Sequence, residues 1–251
     1  MVINIFCDAS IDTTAKVACG GCVIVAQDEI NNLINDNYNI ISKRLIIQQN
    51  ATNNSSEILA IWAGIVEALK IRDHYYPGAI FRLFSDSKIS LYGLRDWMKN
   101  WIANSEGSQI LISSSGTPVM NQQRFIEIYN LIVENNLRIE LYHQRGHVID
   151  GKVSLDQARA QFIKANKVPP ERLGNGIDIN YLSFYNNLID GLTREAVKQY
   201  LSKGILLDNV EIEGINPLEY SIRSSQLHHY IRCIDKTTVK SHHDFKGGYS
   251  Q

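Results

Sequence analysis

The sequence lacks any excess of positive charge. Lysine and arginine total 25 against 26 aspartates and glutamates, a formal net charge of −1, and neither half of the chain forms a basic lobe. That excludes a protein that scans nucleic acid through a broad positive field. It leaves room for an enzyme that grips a polyanion locally and through metal ions. Long apolar runs are also missing: none approaches the roughly 20 residues needed to cross a bilayer. The opening MVINIFCDAS has no basic stretch and reaches a charge at Asp8. A signal peptide is therefore not expected, and a cytoplasmic location is. The four cysteines at 7, 19, 22 and 233 yield one CxxC, at 19–22, with no second pair to complete a zinc site. They read as reduced, packed thiols. There is no internal repeat and no low-complexity segment. What remains is ordinary: 44% hydrophobic and 20% charged residues over 251 positions describe a globular protein of one large domain, or one domain with an appendage.

The order of elements follows from hydrophobic patterning. VINIFCDAS (2–10) reads as a strand ending in turn residues, and ACGGCVIVA (18–26) as a second. The polar link between them predicts an antiparallel hairpin. YNIISKRLII (38–47) is a third strand, followed by a helix over about 55–70. A strand at 80–86, a helix at 87–101, a Ser-rich connection at 104–120, a helix at 121–135 and a strand at 137–144 complete this part. The βββ-α-β-α-α-β order predicts an α/β fold. Its sheet would be mixed and five-stranded, an antiparallel meander plus parallel strands, with helices on both faces. Beyond residue 147 a helix starts at a Ser154/Gln157 capping box, a turn-rich break covers 168–179, and an amphipathic helix runs over 180–203. A further helix is expected over 217–234, and the final KSHHDFKGGYSQ holds too few apolar residues to pack.

Three acids stand out by position. Asp8 and Asp86 each close an apolar strand. A carboxylate leaving a buried strand end is costly unless hydrogen-bonded, paired or bound to a cation, although such acids also cap turns. Glu57 is the first charge of the helix that follows QQNATNNSS. It can serve as the acid of a capping box begun by Asn54, favoured by the helix dipole. On a helical wheel Ile58, Leu59, Trp62, Ile65, Val66 and Leu69 form the apolar stripe; Glu57 falls at its edge and Glu67 on the opposite, watery face. From that edge Glu57 can reach the strand-end acids. Carboxylates gathered in this way suit a hard cation such as Mg²⁺ or Mn²⁺. An acid-held pair of such ions is the arrangement for in-line phosphodiester displacement.

Several separate stretches together resemble the type 1 ribonucleases H. IFCDAS is similar to the first-strand motif of that family, Gly20-Gly21 to the opening of its second strand, and Thr52 to Glu57 to the start of its first helix. Phe84-Ser85-Asp86-Ser87, followed by a helix bearing Trp97, resembles the third-acid motif, and Arg145-Gly146-His147 the loop of the catalytic histidine. The matches lie in the family's order over residues 2–147. The resemblance implies an RNase H-like domain over 1–203, with a segment of about 148–185 inserted before the last acid, and an extension over 204–251. It implies that Asp8, Glu57 and Asp86 hold metal and that His147 shuttles a proton or assists product release. Ser10, Thr52, Asn53 and Asn54 would contact the hybrid's backbone. The fourth acid is best matched by Asp190, in Asn186-Asn187-Leu188-Ile189-Asp190, with Asp150 as the alternative. Asp190 can also simply pair with Arg194 one turn on.

The implied activity is endonucleolytic hydrolysis of the RNA strand of an RNA–DNA hybrid, with two Mg²⁺ ions, replaceable by Mn²⁺, held by Asp8, Glu57, Asp86 and Asp190. Two alternatives stand beside it: a nuclease of this fold acting on another nucleic acid, and a binding or assembly protein that kept the fold. The chain departs from many family members in lacking a basic protruding helix, since Lys99 is the single basic residue between Trp97 and Gln123. Lys164, Lys167 and Arg172 of the insertion are the candidates to replace it, and a protein partner of the insertion or extension is a further expectation.

Overall fold

The computed structural model describes residues 1–26, 40–106, 110–146, 148, 151–169, 172, 179–203 and 210–213. They fall into two compact units. The larger comprises Met1–Asp96 with Arg138–Gly214; the described residues of the smaller are 97–106 and 110–137.

The larger unit is built on one mixed sheet. Strands β1 (Val2–Asp12), β2 (Val17–Ala26) and β3 (Ile40–Gln49) form the antiparallel meander. Strands β4 (Ile80–Ser85) and β5 (Ile139–His143) add in parallel on the other side of β1. A sixth strand, β6 (Val210–Glu213), pairs parallel with β3, giving the order β5-β4-β1-β2-β3-β6. The sequence predicts five strands; VEIE is four residues long and is stabilised by long-range pairing, with Arg44 bonded to Glu211 at 2.8 Å and Gln48 to Glu213 at 3.0 Å.

Helices cover both faces. Helix α1 (Asn53–His74) lies on the face of Ile5, Cys7 and Cys22. It packs closely because small residues line its contact. A Cβ on Gly20 would lie 2.8 Å from the Ser56 carbonyl, and one on Gly64 2.7 Å from Cys7 Sγ. Ile58, Leu59 and Ile65 of the expected stripe are buried together with Ser56, Ala60, Ala63, Gly64 and Ala68, whereas Trp62, Val66 and Leu69 of that stripe are only partly buried. Glu67 is not on a watery face. Its side chain is 15% exposed and accepts a hydrogen bond from Ser42 Oγ at 2.6 Å. The wheel assumes one buried side, but β3 reaches this flank of the helix too.

The opposite face carries α5 (Leu155–Asn166) and α6 (Ile179–Lys203), with α5 starting at the Ser154/Gln157 capping box that the sequence predicts. Helix α2 (Lys88–Tyr92) follows β4 and leads into a π-helical turn, Gly93–Trp97. Under α6 the sheet presents a row of aromatic rings. Tyr142 of β5 stacks on Phe84 of β4, which stacks on Phe6 of β1 at 5.2 Å; Tyr185 of α6 lies on Phe6 at 4.8 Å, and Phe162 of α5 packs against Tyr142. This core is the main support of α6.

The smaller unit contains α3 (Met98–Asn104) and α4 (Gln122–Glu134), joined by a loop with an Ile112/Pro118 bridge. Trp101 anchors it, edge-on to Phe125 at 5.1 Å. No helix among the described residues is long and apolar enough to cross a membrane. The helix expected over 217–234 and the final residues lie outside the described set.

Candidate metal centre

Strand register places the first two acids side by side. Parallel β1 and β4 pair Phe6 with Phe84. Two residues further on come Asp8, on the same face of β1 as Phe6, and Asp86, just past the end of β4. The third acid arrives from α1. The helix is capped by Thr52, whose side chain accepts from Ser55 N at 3.1 Å while Ser55 Oγ accepts from Thr52 N at 2.8 Å. This corrects the expected Asn54/Glu57 box: the helix begins two residues earlier, and no acid lies in its first turn. Ser55 prefers this arrangement because its hydroxyl also donates to Gln48 Oε1 of β3 at 2.9 Å. Glu57 is therefore left without a capping role. It projects instead to the sheet end, where one carboxylate oxygen from each of Asp8, Glu57 and Asp86 lies within 4.8 Å of the others.

The electrostatics of this cluster are unfavourable in the absence of a cation. Burial pushes the Asp8 carboxyl well above its ordinary range, and Asp86 and Glu57 push it further; a hydrogen bond from Ala9 N at 2.8 Å opposes them. Burial, then Asp86, raises Glu57 to about 8. Glu57 Oε2 is buried with no hydrogen-bond partner among the described residues. Three converging carboxylates, all hard oxygen donors, and one orphaned buried oxygen fit Mg²⁺ or Mn²⁺ and do not fit a softer ion.

The cluster opens into a cleft of ≈ 130 Å³ whose lining includes Arg145, Ser183, Asn186 and Asp190 beside the three acids. Asp190 lies on α6 and adds to the charge felt by Asp8. Its carboxylate also accepts from Arg194 one turn on, and it is not among the three acids whose oxygens converge. Asp190 thus lines the cleft and forms the expected helix ion pair, while the converging oxygens come from the other three acids. Asn186 accepts a hydrogen bond from the buried Gln144, which ties the α6 wall to the end of β5. Gly146 lies against the third acid: a Cβ there would overlap Asp86 Oδ2. A side chain at this position would displace the acid.

The remaining expected residues divide into two groups. Thr52, Asn53 and Asn54 are exposed, and the two asparagines stand one helical turn before Glu57 on its side of α1. Ser10 is half-buried, two residues beyond Asp8 on β1. His147 and Asp150 lie outside the described residues. Sequence reasoning assigned no role to Gln144, Arg145, Ser183 or Asn186; the signal available was their adjacency to Gly146 and to Asp190. It also passed over His143, which is 3% exposed, with Nε2 3.1 Å from the Asp86 carbonyl.

Comparison with known proteins gives consistent matches. A family profile described as RNase H matches residues 1–160. A ribonuclease H of Thermosynechococcus vestitus is 31% identical over 96 residues, covering 38% of this chain and 53% of that protein, so the chain spans about half the length of the curated relative it matches. Among solved structures, LC11-RNase H1, isolated from compost by a metagenomic approach, is 15% identical with a TM-score of 0.47, over 80% of this chain and 98% of that one. LC9-RNase H1, a type 1 RNase H with the type 2 active-site motif, is 13% identical with a TM-score of 0.46, over 91% and 84%.

Proposed function

The chain belongs to the RNase H family, and on that footing we propose that it is a metal-dependent endonuclease hydrolysing the RNA strand of RNA–DNA hybrids. The observation that carries the reading is the convergence of Asp8, Glu57 and Asp86 from three elements onto one point, with a buried Glu57 oxygen left unsatisfied. These three acids hold two Mg²⁺ ions with the help of Asp190 from the cleft wall. When bound, such ions supply activation of the attacking water and stabilisation of charge on the leaving 3′ oxygen.

The chain's own residues do the positioning. The aromatic floor beneath Asp8 and Asp86 keeps water from one side of the cluster and strengthens its field. The Gln144–Asn186 bond ties the α6 wall of the cleft to the end of β5, and Gly146 leaves room for the Asp86 carboxylate. Asn53, Asn54 and Thr52, all exposed at the start of α1, contact the hybrid's backbone, with half-buried Ser10 of β1 beside them in the sheet. Backbone near residues 9–10 and 52–57 reads 2′-hydroxyls in the wide minor groove. His147, next in the chain after Gly146, relays a proton or assists product release. With a net charge of −1, the grip is local.

The test is cleavage of one end-labelled strand pair offered as RNA–DNA hybrid, duplex RNA, duplex DNA and single-stranded RNA, with Mg²⁺, by the wild type and by Asp86→Asn. Cleavage confined to the RNA strand of the hybrid, and lost in the variant, is the expected result. Cleavage of a different substrate would move the protein to another nuclease specificity. Survival of all four in Mg²⁺ and in Mn²⁺ would overturn the reading in favour of a binding or assembly role.

A further inference from the structure

The segment before α6, which the resemblance implies is an insertion, has no role in the chemistry above, yet its helix ends against the strand that leads into the site. Asn166, the last residue of α5, turns its side-chain amide to the edge of β5. Its Oδ1 accepts from the His143 main-chain N–H at 2.8 Å, and its Nδ2 donates to the His143 carbonyl at 2.6 Å. One amide thus makes both bonds that a neighbouring strand would make to this residue. The amide itself is fixed. Nδ2 also donates to the Phe162 carbonyl at 3.0 Å, and Oδ1 also accepts from Arg95 Nη1 at 3.0 Å. Arg95 donates further to the carbonyls of Leu141 at 3.2 Å and Ala165 at 3.1 Å, so one guanidinium clamps α5 to β5.

His143 is held on its backbone by this clamp and on its ring by packing near Tyr92 at 6.0 Å. Its Nε2 faces the main-chain carbonyl of Asp86. A carbonyl can only accept, so Nε2 carries the proton and donates it. That bond falls on a residue just past the end of β4, beside the carboxylates of Asp8 and Glu57.

The geometry points to His143 as a positioning residue for Asp86, braced by Asn166 and Arg95, so that helix α5 serves to hold the third acid in register. This rests on the proposed metal centre, but not on which nucleic acid is cut.

The test compares the wild type with His143→Phe, which keeps an aromatic ring but no donor, and His143→Gln, whose amide can donate to the same carbonyl. Asn166→Ala removes the brace from the other side and serves if His143→Phe does not fold. Mn²⁺ binding to the metal-free protein is measured by calorimetry, together with the thermal midpoint without metal and kcat and KM on the hybrid. Loss of a partner that orients a metal ligand costs about 10-fold or more in ion affinity. That loss is expected in His143→Phe and Asn166→Ala, with kcat reduced and KM unchanged, and with His143→Gln close to wild type. Equal ion affinity in all four proteins, with only the thermal midpoint lowered, would overturn the brace while leaving the nuclease reading intact. A wild type that binds Mn²⁺ yet cuts no hybrid would sink the hybrid-nuclease reading, and the contrast between Phe and Gln in ion affinity would still decide the brace. A wild type that takes up no Mn²⁺ would overturn both.

Discussion

Without divalent ions the protein is expected to lose stability as pH rises through neutrality. Burial and then Asp86 push the Glu57 carboxyl from 4.5 up to about 8, and Asp8 moves in the same direction. A group whose pKa is higher in the folded protein than in the unfolded one binds its proton more tightly when folded. Its stabilisation is full below the unfolded pKa and is lost as pH climbs through the folded one. The window for Glu57 therefore runs from 4.5 to about 8. At about 1.4 kcal/mol per pH unit, that interval amounts to at most roughly 5 kcal/mol. Water at the cleft rim screens it to about 2–3 kcal/mol. In a chain of this size the thermal midpoint should fall by roughly 4–12 °C between about pH 5 and about pH 8.5. The assay is calorimetric unfolding in chelator across that range, for the wild type and Glu57→Gln. The variant should lose most of the slope. Mg²⁺ should oppose the decline in the wild type, because ion binding needs the ionised acids. A stability difference between wild type and variant that is flat, or that grows with pH, would refute the reasoning.

Three further outcomes follow from the packing. Gly146→Ala places a methyl group on Asp86 Oδ2 and should cut hybrid cleavage by about 10-fold or more, read as kcat, with a much smaller change in thermal midpoint. Gly64→Ala brings a Cβ to 2.7 Å from Cys7 Sγ and 3.0 Å from Ile5 Cγ2; overpacking of about 1–3 kcal/mol should outweigh the gain in helix propensity, seen as a lower denaturant midpoint. Arg194→Ala removes a side chain that is 64% exposed, so stability measured by denaturant unfolding should change by no more than about 0.5 kcal/mol.

Much of this was legible in the sequence, for reasons particular residues make plain. Asp8 and Asp86 are recognisable because an apolar run ending in a carboxylate is a local pattern, and the register of two parallel strands then places them together. Glu57 is harder. Thr52-x-x-Ser55 and Asn54-x-x-Glu57 are overlapping boxes of similar local merit, and Gln48, a tertiary partner on β3, supports the first. Glu67 departs from its place on the wheel because a wheel carries no information on a second neighbour such as Ser42. The brace at Asn166 has no local signature at all: an asparagine at a helix end reads as a cap until the strand edge beside it is known.

The order in which the cleft is assembled follows from where its parts lie in the chain. Asn4 of the first strand donates to Tyr181 Oη of α6 at 3.0 Å, across a separation of 177 residues. At about 5–20 residues per second, roughly 9–35 s of synthesis separate the two. Through that interval a growing chain can pair its meander and bring Asp8 near Glu57, but Phe6 and Phe84 face solvent and the acids stay hydrated. Only the docking of α6 dries the floor and walls the cleft. Such distant contacts also form slowly once the chain is complete. The cleft is therefore walled only after α6 has been made.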